Sequence, residues 1–344
     1  MRRTLRAHGR RTAEIAALAL ALTATVQQPA RAEPTTLAEV RAELQRLYHD
    51  AEVATDKYNA ADVKVTRQEK RVRTLRARAG AAERRLTRLT ALAGAAARAQ
   101  YRGGGLPAEV QFALSGDPRH ALENASLARQ AQQGTQLVIT AVTTTRGNLR
   151  ADTDEASDVL NRLRANRRTM DTEREKIEKH IAAAKRLESR LAASQRRELD
   201  AMDTEDANDA QAKWESTGIL ERVGTEASAA GREALAYATR QLGKPYVWGA
   251  QGPGSFDCSG LTSQAWLAAG VPVPRTSQEQ WRRLKHVPVT AMRPGDLIIY
   301  FSDASHVAIY IGNGEIIHAP RPGRRVTVAP AGSMAFLGVV RPDT

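Results

Sequence analysis

The chain is short of the residues that crosslink a protein and of those that fill a large core. Cysteine occurs once, at Cys258. No disulfide can therefore form within the chain, and the thiol is either free or paired between chains. Aromatic residues make up 4% of the 344 positions, too few for one core of that size. Proline is missing from two long stretches, between Pro34 and Pro107 and between Pro118 and Pro245. Ten of the 15 aromatics and 10 of the 14 prolines fall in residues 232–344. That split excludes a single uniform globule and points to a long helical part followed by a compact domain. Long apolar runs are absent too. The longest, Ile15–Val26, has 12 residues, short of the roughly 20 that span a bilayer.

That run follows the basic stretch Met1–Arg11 and precedes Ala30-Arg31-Ala32, a small-x-small pattern. Together they predict an export signal over 1–32, cut after Ala32. The chain carries a net charge of +13, of which the leader holds +5, leaving +8 on a mature chain. A basic exported chain suits an anionic cell envelope, and no nucleic-acid motif is present.

From Leu37 apolar residues or alanine recur in steps of three and four through Val40, Leu44, Leu47, Ala51, Ala54, Tyr58, Ala61 and Val65, and on to Ala96. This is a coiled-coil seam. Gly103-Gly104-Gly105 and Pro107 stop it. A weaker seam runs through Leu149, Ala156, Leu160, Leu163, Ile177, Ala184 and Leu191. A long helix, a tip and a second long helix predict an antiparallel hairpin over 33–202. Alanine-rich seams bury little apolar area, so the arms are expected to be bendable. Residues 203–230 read as a linker with a short helix near Ile219–Val223.

Residues 231–344 read as the compact domain. Arg232–Leu242 is a predicted helix closed by Gly243. After a Gly/Pro loop, Leu261, Ala265, Trp266 and Ala269 recur at helical spacing. Asp257 then falls at the N-cap and Cys258 in the first turn, where the partial positive charge of a helix N-terminus favours a thiolate nucleophile. A helix is predicted near Ser277–Leu284, followed by strands at Asp296–Tyr300, His306–Ile311, Gly314–His318, Val326–Val328 and Phe336–Val340. Helices followed by an antiparallel sheet make an α+β domain. Register matters for the two strand histidines. A two-residue Asn313-Gly314 turn sends His306 and His318 to opposite faces. A three-residue turn sets Ala308 opposite His318 and makes the histidines neighbours. One cysteine and two histidines could also hold zinc with an open position, although no HExxH-type motif accompanies them.

Five segments together resemble one known family. They are Pro245-Tyr246-x-Trp248-Gly249, Asp257-Cys258-Ser259-Gly260-Leu261, Pro274-Arg275-Thr276-Ser277-Gln278, Pro294-Gly295-Asp296-Leu297, and His306-Val307-x-Ile309-Tyr310-x-Gly312 through His318-Ala319-Pro320. In this order they look like NlpC-type cell-wall endopeptidases with a papain-like fold. Ala250 departs from the family pattern, which usually has a second glycine there. The resemblance implies a cysteine peptidase that cuts peptidoglycan stem peptides between D-glutamate, through its γ-carboxyl, and the following diamino acid. It implies Cys258 as nucleophile, His306 as general base and His318 as its orienting partner. The Tyr246 hydroxyl and the Cys258 backbone N–H would stabilise the oxyanion, and Asp257 and Ser259 would hold the free amine of the stem peptide. Neither a cofactor nor a metal is expected. The expected location is secreted and wall-associated. The resemblance to coiled-coil hydrolases of this group implies an FtsE/FtsX-type division complex as partner, and an arm or linker held across the Cys258 groove as a regulator. A non-catalytic envelope scaffold and an amidase or acyltransferase on another substrate are the alternative classes.

Overall fold

The structure, a computed structural model, describes residues 34–102, 110 and 118–344. The expected export signal, the glycine break at 103–105 and most of the tip at 106–118 lie outside the described residues.

Two long helices, α1 (Leu37–Arg102) and α2 (Pro118–Ser189), pack along each other as the seam predicts. Val40, Leu44 and Leu47 meet Ala184, Leu187 and Leu191, and farther out Val72 and Leu75 meet Val159. Beyond about residue 80 the seam thins, because alanine offers little to bury. The 72-residue α2 spans about 100 Å at 1.5 Å per residue. Among the described residues no helix is long and apolar enough to cross a membrane.

After a break at residues 190–192, α3 (Ala193–Glu215) continues the chain. It occupies the first half of the segment read as a linker, and Ile219–Val223 is a turn rather than a helix. Asp, Glu and Ala there resemble a solvated spacer, but Leu199 and Met202 complete the apolar end of the arm and Trp214 stacks on Phe336 at 6.5 Å. These tertiary contacts carry the helix, which local propensity alone leaves marginal.

The compact domain begins with α4 (Ala229–Thr239), α5 (Cys258–Ala268) and α6 (Ser277–Arg283). The strands are β1 (Lys285–Val287), β2 (Leu297–Tyr300), β3 (His306–Gly312), β4 (Glu315–His318), β5 (Thr327–Pro330) and β6 (Phe336–Arg341). They form one antiparallel sheet in the order β1-β6-β2-β3-β4-β5. Helices α4 and α5 cover one face, where Leu261, Ala265 and Trp266 pack on Leu297, Ile299, Val307 and Ile309. Ile298, Tyr300, Ala308 and Tyr310 form the core of the other face, with Trp214 of α3 against it. The five expected strands agree with β2–β6 to within a residue or two, while β1 is not among them, because its three residues, Lys285-His286-Val287, carry no apolar alternation and form a strand only by pairing with β6.

Candidate active site

The DCSG segment builds the entry to α5. Asp257 is the N-cap, its Oδ1 accepting the Gly260 N–H at 2.6 Å, which places Cys258 in the first turn as expected. Gly260 is required by packing. The carbonyl oxygen of Ala250 approaches so closely that a Cβ at Gly260 would collide with it. Ala250 is not a strained replacement, because the loop takes its positive φ of 75° at Gly249.

The β3–β4 hairpin brings the histidines together by a route between the two considered. Its loop is the two-residue Asn313-Gly314, and the strand register shifts between Tyr310 and Gly312. The extra residue is absorbed as a bulge at Ile311, so Ile309 faces Ile317. His306 Nε2 then lies 3.0 Å from His318 Nδ1. The backbone N–H of Val307, the residue after His306, faces the Cys258 thiol. Tyr246 is buried in the same cluster as Cys258. Ser259 Oγ lies 3.4 Å from Asp257 Oδ1 and accepts Arg275 Nη1 at 3.0 Å. All six predicted site residues therefore converge.

Residues without an assigned role in the sequence reading complete the site. Arg275 donates to both oxygens of Asp257, at 3.0 and 2.6 Å, and so fixes the carboxylate. Gln280 donates to the Pro274 carbonyl at 2.8 Å and accepts from Thr262, tying α6 to α5. Both stand in or beside the recognised Pro-Arg-Thr-Ser segment, which was the available signal.

The largest departure from a papain-like groove open to solvent is its cover. One face of α1 lies on it. Asn59 Nδ2 donates to Asp257 Oδ2 at 3.1 Å. The Ser277 hydroxyl donates to Asp56 Oδ2 at 2.5 Å. Glu52 Oε1 lies 3.3 Å from His306 Nδ1, though not aligned for a hydrogen bond. Tyr58 meets Trp248 edge-on at 5.2 Å, and His49 lies 3.2 Å from Asp303. Under this cover Cys258 is 5% exposed, Glu52 8% and Asp56 2%.

Burial sets the electrostatics. It pushes the Cys258 thiol well up, aided by the carboxyl groups of Asp257, Asp56 and Glu52, and outweighs the helix N-terminus expected to lower it. Burial lowers His306 to about 4, against the pull of Asp257, and lowers His318, with His306 adding to the effect. It raises Glu52 to about 8 and Asp56 well above the usual carboxylate range. The covered pair is thus a neutral thiol beside a neutral imidazole. Among the described residues no group of three or more His, Cys, Asp or Glu is arranged to hold a metal ion.

A first-turn cysteine beside a histidine pair on an antiparallel sheet is the arrangement of the papain-like thiol hydrolases. Residues 243–336 match the NlpC/P60 family, and the C-terminal domain is an NlpC/P60 domain. "Probable endopeptidase Cgl2188" of Corynebacterium glutamicum is 39% identical over 115 residues, covering 33% of this chain and 55% of that protein. "Probable endopeptidase Rv2190c" of Mycobacterium tuberculosis is 43% identical over 96 residues, 28% of this chain and 25% of that one. The crystal structure of the P60 domain from the M. avium subspecies paratuberculosis antigen MAP1204 is 33% identical, covers 32% of this chain and 92% of that one, and gives a TM-score of 0.31. The chain spans 55% of the length of the Corynebacterium relative.

Proposed function

We propose that the protein is a secreted, wall-associated cysteine endopeptidase that hydrolyses peptidoglycan stem peptides and is held inactive by its own coiled-coil arm. The observation that carries the catalytic half is the convergence of first-turn Cys258, His306 and His318, with His306 Nε2 held by His318 at 3.0 Å. His306 Nδ1 takes the thiol proton, and the Cys258 sulfur attacks the substrate carbonyl. The Cys258 backbone N–H and the Tyr246 hydroxyl stabilise the oxyanion. Collapse of the tetrahedral intermediate expels the amine, which receives the proton from His306. Water activated by His306 then hydrolyses the thioester. The bond cut is the one between D-glutamate, through its γ-carboxyl, and the diamino acid. Asp257 and Ser259, braced by Arg275, hold the amine of the stem peptide on the acyl side. The amide of Asn59, donating to Asp257, stands in for that amine.

The regulatory half rests on α1. Its Glu52 lies 3.3 Å from the ring nitrogen that must accept the thiol proton, so docking closes the approach of substrate to the base. A membrane division complex of the FtsE/FtsX type is the class of partner that would draw the arm away, for wall remodelling or daughter-cell separation.

The test is hydrolysis of purified muropeptides by the mature full chain. Cys258→Ala abolishes cleavage while changing stability by no more than about 1–2 kcal/mol. Replacing Glu52, Asp56 and Asn59 together by alanine raises kcat/KM more than tenfold. Cleavage by the Cys258→Ala chain overturns the thiol mechanism, and an unchanged rate in the triple variant overturns inhibition by the arm.

A further inference from the structure

Helix α1 marks the course of the groove beneath it. Asn59 lies at Asp257, Asp56 at Ser277, Glu52 at His306, and Tyr48 under Arg321. From Asn59 to Tyr48 the helix advances about 16 Å, the length of a few extended peptide residues. Direction along it follows from the reading proposed above, on which this inference rests. The Asp257 end takes the acyl side of the scissile bond, so the far side of His306, toward Tyr48, receives the departing amine and the residue that carries it.

On that far side Arg321 stands three positions after His318 in the β4–β5 loop. Its guanidinium carbon lies 4.1 Å from the centre of the Tyr48 ring, and its Nη1 lies 3.5 Å from Glu188 Oε1. Tyr48 in turn donates its hydroxyl to the same Glu188 oxygen at 2.9 Å. Among the described residues, both side chains that hold this guanidinium, Tyr48 and Glu188, belong to the arm. Arg321 also lines a cavity of about 1540 Å³ between the arm and the domain, and His306 and His318 open onto it. When the arm leaves, a cation 25% exposed in the closed form loses its carboxylate and its aromatic platform together, beside the base that protonates the leaving amine. The Glu188 carboxylate holds the place of an acidic ligand, as the Asn59 amide holds the place of an amine.

We infer that Arg321 is a specificity-determining residue that binds a carboxylate on the side chain of the leaving diamino acid. The enzyme would thereby prefer stem peptides whose diamino acid is a dicarboxylic acid over those carrying lysine. A guanidinium suits this task because its planar fork meets a carboxylate with two parallel hydrogen bonds. Lysine at the same substrate position offers it no acceptor and leaves the charge unpaired, and that difference generates discrimination.

The test uses the mature full chain with Tyr48, Glu52, Asp56, Asn59 and Glu188 replaced by alanine, which removes the arm's contacts with the groove and with Arg321 alike. Two muropeptides are compared, one with diaminopimelic acid and one with lysine at the third position. The expected kcat/KM ratio is at least tenfold in favour of the diaminopimelate substrate. Adding Arg321→Gln reduces that rate about tenfold and leaves the lysine substrate within twofold, while Arg321→Lys retains part of the preference. The lysine rate serves as the internal control for folding. Cleavage of both substrates with a ratio that Arg321→Gln does not change overturns the role of Arg321 alone. Cleavage of neither by the starting variant overturns the endopeptidase reading and this inference with it.

Discussion

Gly260 shows how one missing side chain holds the nucleophile in place. Its amide N–H caps onto Asp257, and its Cα faces the Ala250 carbonyl, which itself accepts the Asp257 N–H at 3.0 Å. Three backbone segments meet there because nothing projects between them. In an open helix, glycine to alanine stabilises by roughly 0.5–1 kcal/mol. At this position the added methyl group must push either the loop or the first turn of α5. We expect Gly260→Ala to destabilise the domain by about 1–3 kcal/mol, as overpacking does. Muropeptide hydrolysis should fall by more than the loss of folded protein explains, because Cys258 moves with the turn. Thermal unfolding measured beside activity checks both parts, and a variant as stable and active as the parent would show that the close approach is slack. Arg275 acts through the same carboxylate from the opposite side, so Asp257 is oriented from its own helix, from the Gly249 N–H and from Arg275 at once.

Among the secondary-structure elements, α1 has two jobs on two faces. Val40, Leu44 and Leu47 pack against α2 and α3, while Glu52, Asp56 and Asn59 enter the groove. The buried groups around them are Asp257, Arg275, Cys258, His306 and His318 from the domain. Asp303 and Arg321 stand at the groove edge, with His49 from α1 itself. Arg275 is already taken by Asp257, so two further buried carboxylates lack a matching cation and dock in protonated form. The consequence for pH has a definite sign. Docking raises Glu52 from its ordinary 4.5 to about 8, so it takes up a proton. That contribution is complete below pH 4.5 and is lost as pH rises through about 8. His306 shifts the other way, from 6.5 down to about 4, so its contribution is present above pH 6.5 and lost in acid. Above pH 6.5 the carboxyl groups therefore decide, and docking weakens as pH rises, by up to about tenfold per unit for each carboxyl. The rate of Cys258 alkylation, divided by that of the alanine triple variant, should climb between pH 6.5 and 8. In Glu52→Gln with Asp56→Asn, which cannot ionise, the ratio should stay flat and low. A climb that persists in the amide variant would place the sensing groups elsewhere.

If the arm inhibits as proposed, the arm and the domain together form a two-state device. Helix α3 remains seated on the domain through Trp214 and Phe336 and through Gln211, which bonds the Gly314 carbonyl and the Gly332 N–H. The helix breaks at residues 190–192, between α2 and α3, and Leu199 of α3 packs with Val40 and Leu44 of α1 beside it. If the groove is either covered or open, the open fraction limits every reaction of Cys258 equally. The alanine triple variant should then raise the rate of thiol alkylation and the kcat/KM for muropeptide by the same factor, within about twofold. A gain in hydrolysis without a gain in alkylation would mean that the arm obstructs substrate while leaving the thiol accessible. Ion pairs such as Arg41 with Asp203 and Arg324 with Asp200 also span the closed form. They are partly exposed, so salt should shift the same balance modestly toward the open form.

Much of this was readable from residue order. The seam of α1, the N-cap at Asp257, the first-turn Cys258 and the strands carrying His306 and His318 are local patterns, set by helical and strand periodicity and by glycine and proline punctuation. The pairing of the histidines was legible only as a choice between two turns. The bulge at Ile311, which permits the short turn and the productive register together, depends on how β3 and β4 settle in the sheet. The cover over the groove was not legible at residue level. Glu52, Asp56 and Asn59 follow helical spacing on a charged face, which in sequence is identical to the solvated flank of any coiled coil. Their burial, and with it the raised pKa of two carboxyl groups and the covering of Cys258, arises from contacts about 200 residues apart in the chain, such as Asn59 with Asp257. No local pattern encodes such a contact, because a helix face acquires its meaning from what packs against it.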